Sequence, residues 1–400
     1  MAIVRDPSRD AAVWAVIVGI SLCHLLNDVM QSLLAAIYPL LQAEFGLSFW
    51  QIGMMTFAFQ VTASLLQPAV GMATDRHPFP QVLPIGMGST LAGLLLLALA
   101  DRYALLLAGA MLIGIGSAVF HPEASRVARL ASGGRYGTAQ SLFQVGGNFG
   151  SALGPLLAAF VVVPLGRPAI AWFAVAALAG MLILQRIAAW HGRMRRAAAG
   201  RPASRHGAVL PRRRVVLAIV LLATLVLSKN SYTASITSYY IFFLIERFDL
   251  GTQAAQMMLF LFLASTAVGV GIGGIIGDRV GALRVIWISI IGVLPFTLMM
   301  PHAGLIGTGV LSVLIGVLLS CAFPAIVVYA QELVPGRIGL IAGLFFGFAF
   351  GMGGIAAALL GALADARGLA FVYQLCAFLP AAGLLTVFLP RPRELAGRMA

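Results

Sequence analysis

Within an otherwise apolar run, SLCHLLNDVMQSLLAAIYPLLQ at 21–42, four polar residues stand at i, i+3, i+4 and i+7: His24, Asn27, Asp28 and Gln31. On a helix this spacing puts all four on one face. A stripe that only bonds a neighbouring helix needs neutral groups, not a carboxylate. An ionisable group inside a spanning helix costs at least about 2.5–3.5 kcal/mol on insertion scales and is a functional candidate by default. A low-dielectric site makes a carboxyl hold its proton more tightly. That suits a group that must load and release a proton near neutral pH. Asp28 and His24 are therefore candidates for proton coupling, and Asn27 and Gln31 for substrate binding. A packing stripe is the alternative reading.

The single lysine, Lys229, falls about halfway along another apolar run, in Ser228-Lys229-Asn230-Ser231-Tyr232. A lipid-exposed ammonium there would be poorly tolerated, so Lys229 is expected to face a cavity. There it would attract an anionic substrate or pair with Asp28, so that substrate and proton compete for one electrostatic balance. A fixed structural ion pair is the alternative. Asn230 joins the substrate-binding candidates. A further cluster, His121-Pro122-Glu123 with Arg126 and Arg129, ends another apolar run. Glu123 and Arg126 share a face at i, i+3, and Pro122 is expected to kink the helix. Glu123 is a further proton-coupling candidate, and His121 and Arg126 are candidates for an inner substrate vestibule or gate. An interfacial salt bridge explains them equally well, and Glu332 and Arg337 occupy the corresponding region later in the chain. Gln144 and Asn148, at i, i+4, are placed to bond substrate; Tyr239 and Tyr240 line an outer cavity or belong to an aromatic belt.

Other chemistries find no residues. The glycine-rich stretch 269–277 lacks the Gly-Lys-Ser/Thr of a phosphate loop, so ATP is not the expected energy source. No hydrolytic triad or metal-ligand spacing occurs, so neither an enzyme nor a metal or cofactor is expected. Cys23, Cys321 and Cys376 lie in apolar segments as small hydrophobes. His77, His191, His206 and His302, in loops or at helix ends, receive no role.

The elements that must carry these residues follow from composition. The 400 residues are 60% hydrophobic and 10% charged, against about 25% charged in soluble domains, so most of the apolar surface must face lipid. A spanning helix needs roughly 20 apolar residues. Twelve candidates appear, at 13–41, 50–72, 82–100, 104–128, 137–163, 169–190, 215–245, 253–275, 284–300, 304–330, 338–363 and 370–389. The first is read as a retained helix rather than a cleaved signal. A net charge of +13 would suggest nucleic acid in a soluble protein. Here the basic residues sit in short loops. With the N-terminus inside, only Arg102, Arg167, Arg247 and Arg367 fall on the outer side, and both termini are expected to be cytoplasmic. Residues 193–214 read as a basic linker on the anionic membrane surface, between six-helix halves at 1–192 and 215–400.

The halves repeat. Gly71-Met-Ala-Thr-Asp75-Arg76 returns as Gly274-Ile-Ile-Gly-Asp278-Arg279, Asn27 returns as Asn230 and Phe120 as Phe323. Such repeats place a substrate site near the midplane and let one half rock against the other. Asp75 and Asp278, at inner helix ends, are expected to cap a helix N-terminus and hold the cytoplasmic side closed. Gly150 and Gly154 are expected to serve close helix approach, with Pro155 a hinge.

At these motifs a resemblance enters. The Gly-x-x-x-Asp-Arg loops are similar to the signature of the major facilitator superfamily. Gly146-Gly-Asn-Phe-Gly150-Ser-Ala-Leu-Gly154-Pro155 resembles the glycine-proline motif of drug–proton antiporters. The strings at 21–42, 120–159, 238–240 and 329–354 resemble the bacterial fosmidomycin-resistance family. This resemblance implies a twelve-helix inner-membrane exporter that uses the proton gradient to expel small toxic compounds, with the phosphonate fosmidomycin the name-giving substrate. One departure matters: 104–120 carry no charge, so the coupling scheme built on an arginine in the fourth helix does not carry over. A monomer in the bilayer is expected. A proton-coupled importer of a small organic anion on the same scaffold is the rival.

Overall fold

The computed structural model describes residues 12–198 and 210–391. Among these residues there is no strand. The chain runs through twelve helical columns: α1 (Trp14–Ala36), α2 (Phe49–Arg76), α3 (Val82–Leu99), α4 (Tyr103–Ala131), α5 (Tyr136–Leu165), α6 (Arg167–Ala197), α7 (Arg212–Phe248), α8 (Thr252–Val280), α9 (Ala282–His302), α10 (Leu305–Leu333), α11 (Ile338–Arg367) and α12 (Leu369–Phe388). Eleven contain stretches long and apolar enough to cross a membrane. The other, α2, holds Gln60, Gln67, Thr62 and Pro68, which dilute its hydropathy. Its 28 residues still reach about 42 Å at 1.5 Å per residue.

The expected boundaries differ where backbone groups run out of partners. α1 breaks at Ile37 and resumes as Tyr38–Phe45, because Pro39 has no N–H to give the Ala35 carbonyl. Gly46, at φ 63°, turns the chain, and Ser48 and Gln51 close a capping box at the start of α2. α5 runs past Pro155 into a π-type turn at Ala158–Val162. α10 breaks at Cys321, three residues before Pro324, whereas α4 runs unbroken through Pro122 to Ala131. The segment read as a linker is helical at both edges, since helix Phe173–Ala198 and helix Arg212–Phe248 reach into it; 199–209 and the two termini lie outside the described residues.

The internal repeat extends to backbone and packing detail. Gly134 (φ 84°) matches Gly336 (φ 81°), and Gly166 (φ 79°) matches Gly368 (φ 83°). A Cβ at Gly114 would strike Thr62, whose hydroxyl donates to the Phe59 carbonyl; a Cβ at Gly316 would strike Ser265, whose hydroxyl donates to the Phe262 carbonyl. Thus α4 on α2 and α10 on α8 meet at the same small residue, about 200 positions apart.

Two units emerge: Met1–Arg205 with Gly336–Gly347, and His206–Pro335 with Phe348–Ala400. In the first, α1 packs on α5 and α6, and α4 on α2 and α3. In the second, α10 packs on α8 and α9, and α12 on α7 and α9.

Candidate functional site

The polar face of α1 meets α4 and α5. His24, Asn27 and Asp28 are buried there. Asp28 accepts hydrogen bonds at Oδ1 from Asn27 Nδ2 and Gln31 Nε2, each at 3.1 Å, and at Oδ2 from Ser151 Oγ at 3.5 Å. His24 Nε2 lies 3.4 Å from Asp28 Oδ2, and His121 Nε2 lies 3.7 Å from Oδ1. The two imidazoles meet Nε2 to Nε2 at 3.3 Å. Each ring is anchored through Nδ1, His24 to the Phe143 carbonyl at 2.7 Å and His121 to the Ser117 carbonyl at 2.9 Å. Phe143 also stacks on His24, with centroids 4.0 Å apart. Charge and polarity are thus concentrated in a shell of aromatic carbon.

This placement corrects one expectation. The sequence offers His121 with Arg126 as an inner vestibule or gate, or as part of an interfacial salt bridge; the fold turns its ring toward Asp28 instead. Ser117, one turn earlier, bonds both His121 and Gln31 and was missed. Its i, i+4 spacing to His121 is the signal that a helical reading offers.

The small residues of α5 make the contact. A Cβ on Gly147 would sit 2.5 Å from His24 Cε1 and Nε2 and 2.8 Å from Asp28 Oδ2. Cβ atoms on Gly146, Gly150 and Gly154 would strike the Ser21 carbonyl, the Leu25 carbonyl and Ser32 Oγ. Gly150 and Gly154 therefore lie at close helix approach. Gly147→Ala is expected to cost about 1–3 kcal/mol by overpacking, because His24 is fixed by both its hydrogen bond and its stack. Thermal unfolding in detergent checks this against Gly351→Ala, where nothing lies within 4 Å. Equal midpoints for the two variants would refute the contact.

A second buried network begins on α4 two residues after His121, at Glu123. Arg126 donates to Asp75 Oδ1 at 2.6 Å, to the Thr74 carbonyl at 2.7 Å and to Thr74 Oγ1 at 2.9 Å. Glu123 Oε2 is 3.1 Å from Arg126 Nη1. His191, given no role from sequence, is buried with Nδ1 3.8 Å from Glu123 Oε1. Asp75 then accepts from the Gly339 and Leu340 backbone N–H groups at 2.9 and 2.8 Å, so it caps the N-terminus of α11. Gly71 lies so close to Gly339 that a Cβ would strike its carbonyl. Arg126 is committed to these partners, which favours the salt-bridge reading over an open substrate vestibule. Arg76 is exposed beside it, as are Asp278 and Arg279 at the end of α8.

In the other unit, the Lys229 ammonium donates to Asn230 Oδ1 at 3.4 Å and lies 5.5 Å from the Phe323 ring centroid. Asn230 Nδ2 donates to the Ala349 carbonyl at 3.1 Å, and the Tyr239 hydroxyl to the Ala357 carbonyl at 2.6 Å. A neutral amide and a π-face leave the ammonium able to receive an anion. Gln144 is buried and Asn148 exposed on α5.

Twelve columns in an internally repeated pair of six, buried charges within them, and the capped Gly-x-x-x-Asp-Arg turn define a polytopic membrane transporter. The profile of the Major Facilitator Superfamily matches residues 20–358, and the chain belongs to that family. It is 57% identical over 381 residues to the "Fosmidomycin resistance protein" of Escherichia coli K12, covering 95% of this chain and 94% of that one. It is also 39% identical to the "Uncharacterized MFS-type transporter YfnC" of Bacillus subtilis, covering 96% and 94%. Among solved structures, the E. coli fucose:proton symporter FucP superposes at TM-score 0.70 with 16% identity, covering 94% of this chain and 98% of that one. The human organic anion transporter MFSD10 superposes at TM-score 0.72 with 16% identity, covering 96% and 100%. These two likenesses establish the fold.

Proposed function

We propose that the chain is a proton-coupled exporter of small anionic or polar toxic compounds, with fosmidomycin the first substrate to test. It works as a monomer in the bacterial inner membrane, with both termini cytoplasmic and no cofactor. The observation that carries this reading is the 57% identity over 95% of the chain to a protein named for resistance to that drug. The chemistry of the buried residues supports it. Asp28, with His24 and His121 against it, is the proton site; Glu123 is the next candidate. Lys229 binds the anionic group, with Asn230 and Tyr239 on its own helix. Asn27, Gln31, Gln144 and Asn148 supply neutral hydrogen bonds. Drug binds from inside with Asp28 ionised, and after release outside, protonation of Asp28 permits the return. Each proton entering draws on about 2.3 kcal/mol per 100 mV of membrane potential.

The test is proton movement on adding fosmidomycin to proteoliposomes, read with an internal pH dye. Export predicts proton flux opposite to the drug; co-directional flux would establish the importer instead, and no flux with no binding would reject the substrate. In the same vesicles Lys229→Ala is expected to weaken drug affinity by about 10–100-fold, the worth of a charge-assisted hydrogen bond of roughly 1.5–3 kcal/mol. Unchanged affinity would remove Lys229 from the binding site.

A further inference from the structure

The cluster of His24, Asp28 and His121 carries an inference that the transport reading does not need. Hydrogen-bond partners determine where the imidazole hydrogens lie. A carbonyl oxygen only accepts, so His24 Nδ1, 2.7 Å from the Phe143 carbonyl, bears a hydrogen. His121 Nδ1 stands 2.9 Å from the Ser117 carbonyl and bears one too. The Ser117 hydroxyl does not reverse this assignment. Its hydrogen goes to Gln31 Oε1 at 2.9 Å, while Gln31 Nε2 donates to Asp28 Oδ1 at 3.1 Å. A neutral imidazole has one N–H. With both rings neutral, the form a metal ion requires, both Nε2 atoms present lone pairs, to each other at 3.3 Å and to the Asp28 carboxylate at 3.4 and 3.7 Å. Three acceptors converge on one point, which is the environment of a cation.

The separations indicate its class. Ligand atoms bound at about 2.0–2.1 Å to a tetrahedral ion stand about 3.3–3.4 Å from one another. The His24–His121 and His24–Asp28 separations, 3.3 and 3.4 Å, have this value. The third, 3.7 Å, runs from His121 Nε2 to the other carboxylate oxygen, Oδ1, so the carboxylate faces the two imidazoles with both oxygens, and one ligand atom from each of the three residues lies within 4.8 Å of the others. Two imidazole nitrogens and one carboxylate oxygen suit a borderline transition ion rather than the all-oxygen shell of calcium or magnesium. Each imidazole gives its other N–H to a backbone carbonyl, and the carboxylate is held by Asn27 and Gln31. Metal-bound histidines and carboxylates are oriented by such outer partners. Gly147 keeps the space beside His24 Nε2 and Asp28 Oδ2 free of a side chain.

We propose that His24 Nε2, His121 Nε2 and the Asp28 carboxylate form a binding site for a divalent transition-metal ion of the Zn2+ type. A fourth position is left to water or to an anionic oxygen of a small molecule. The donors come from two helices 97 residues apart at the histidines, so the pattern has no local spacing in the sequence. This departs from the expectation of no metal; the ion competes for the carboxylate that carries the proton in the transport reading, and its binding is measured without drug or gradient, so the two readings fail separately.

The experiment is a Co2+ titration of the full-length protein, purified in detergent without a polyhistidine tag and followed by visible absorption, with Zn2+ as competitor. One Co2+ per chain is expected to give the intense bands of a four-coordinate ion, and Zn2+ to displace it. His24→Ala and His121→Ala are each expected to weaken Zn2+ binding by more than the roughly 10–100-fold typical of outer-shell changes. His121→Gln, which keeps much of the volume, reads the same loss should an alanine variant fail to fold. A wild type that takes up no Co2+, or holds it only as the pale six-coordinate ion, overturns the proposal. Stoichiometric binding that survives in folded variants of both histidines overturns it as well.

Discussion

Asp28→Asn is expected to reduce drug-driven proton movement in proteoliposomes to the rate of protein-free vesicles, while the protein still folds and binds drug. The substitution keeps the shape of the side chain and removes its charge and its proton-accepting role. The neighbours tolerate the amide. With the amide oxygen in the Oδ1 place, Asn27 and Gln31 still donate to it, and the new NH2 in the Oδ2 place can donate to the His24 Nε2 lone pair, 3.4 Å from that position. Drug binding is read by tryptophan quenching and coupling by the internal dye, so the two losses separate. Coupling that persists in Asp28→Asn would move the proton to another group, with Glu123 and His24 next. Loss of binding together with coupling would make Asp28 part of the substrate site instead.

The legible part of this protein was the part written in local spacing. Hydropathy alone placed twelve columns, because a bilayer demands about 20 apolar residues per crossing. The repeat of Gly71–Arg76 as Gly274–Arg279 announced paired halves. The stripe of His24, Asn27, Asp28 and Gln31 was read as one face, and all four meet in a single hydrogen-bond network. Asp75 was expected to cap a helix N-terminus, and it does so on Gly339 and Leu340. What escaped depends on contacts between distant helices. That His121 points at His24, and not at Arg126, depends on how α4 rotates against α1. Two positions, from His121 to Glu123, separate the Asp28 network from the Arg126 network on α4. His191 looked like a loop residue because Arg193, Arg195 and Arg196 follow it. The helix continues to Ala198, and this carries His191 against Glu123.

The second large effect is expected at Arg126. Arg126→Met should lower stability by about 3–5 kcal/mol, the cost of removing one partner from a buried ion pair. Glu123 is fully buried, and the Arg126 and Asp75 side chains are 7% and 8% exposed, so water cannot replace the lost guanidinium. Asp75 keeps its two backbone donors on α11. Glu123 keeps His191 at 3.8 Å, the Thr74 hydroxyl and the more distant charge of Arg195, which do not replace a guanidinium at 3.1 Å, so the penalty should fall mainly on Glu123. The double variant Arg126→Met/Glu123→Gln then recovers most of the loss, because a neutral amide no longer needs a counter-charge. Thermal unfolding in detergent decides between the cases. A single variant as stable as wild type would mean that the network contributes nothing to the fold. A double variant as unstable as the single would shift the dependence to Asp75, and with it to the capped start of α11.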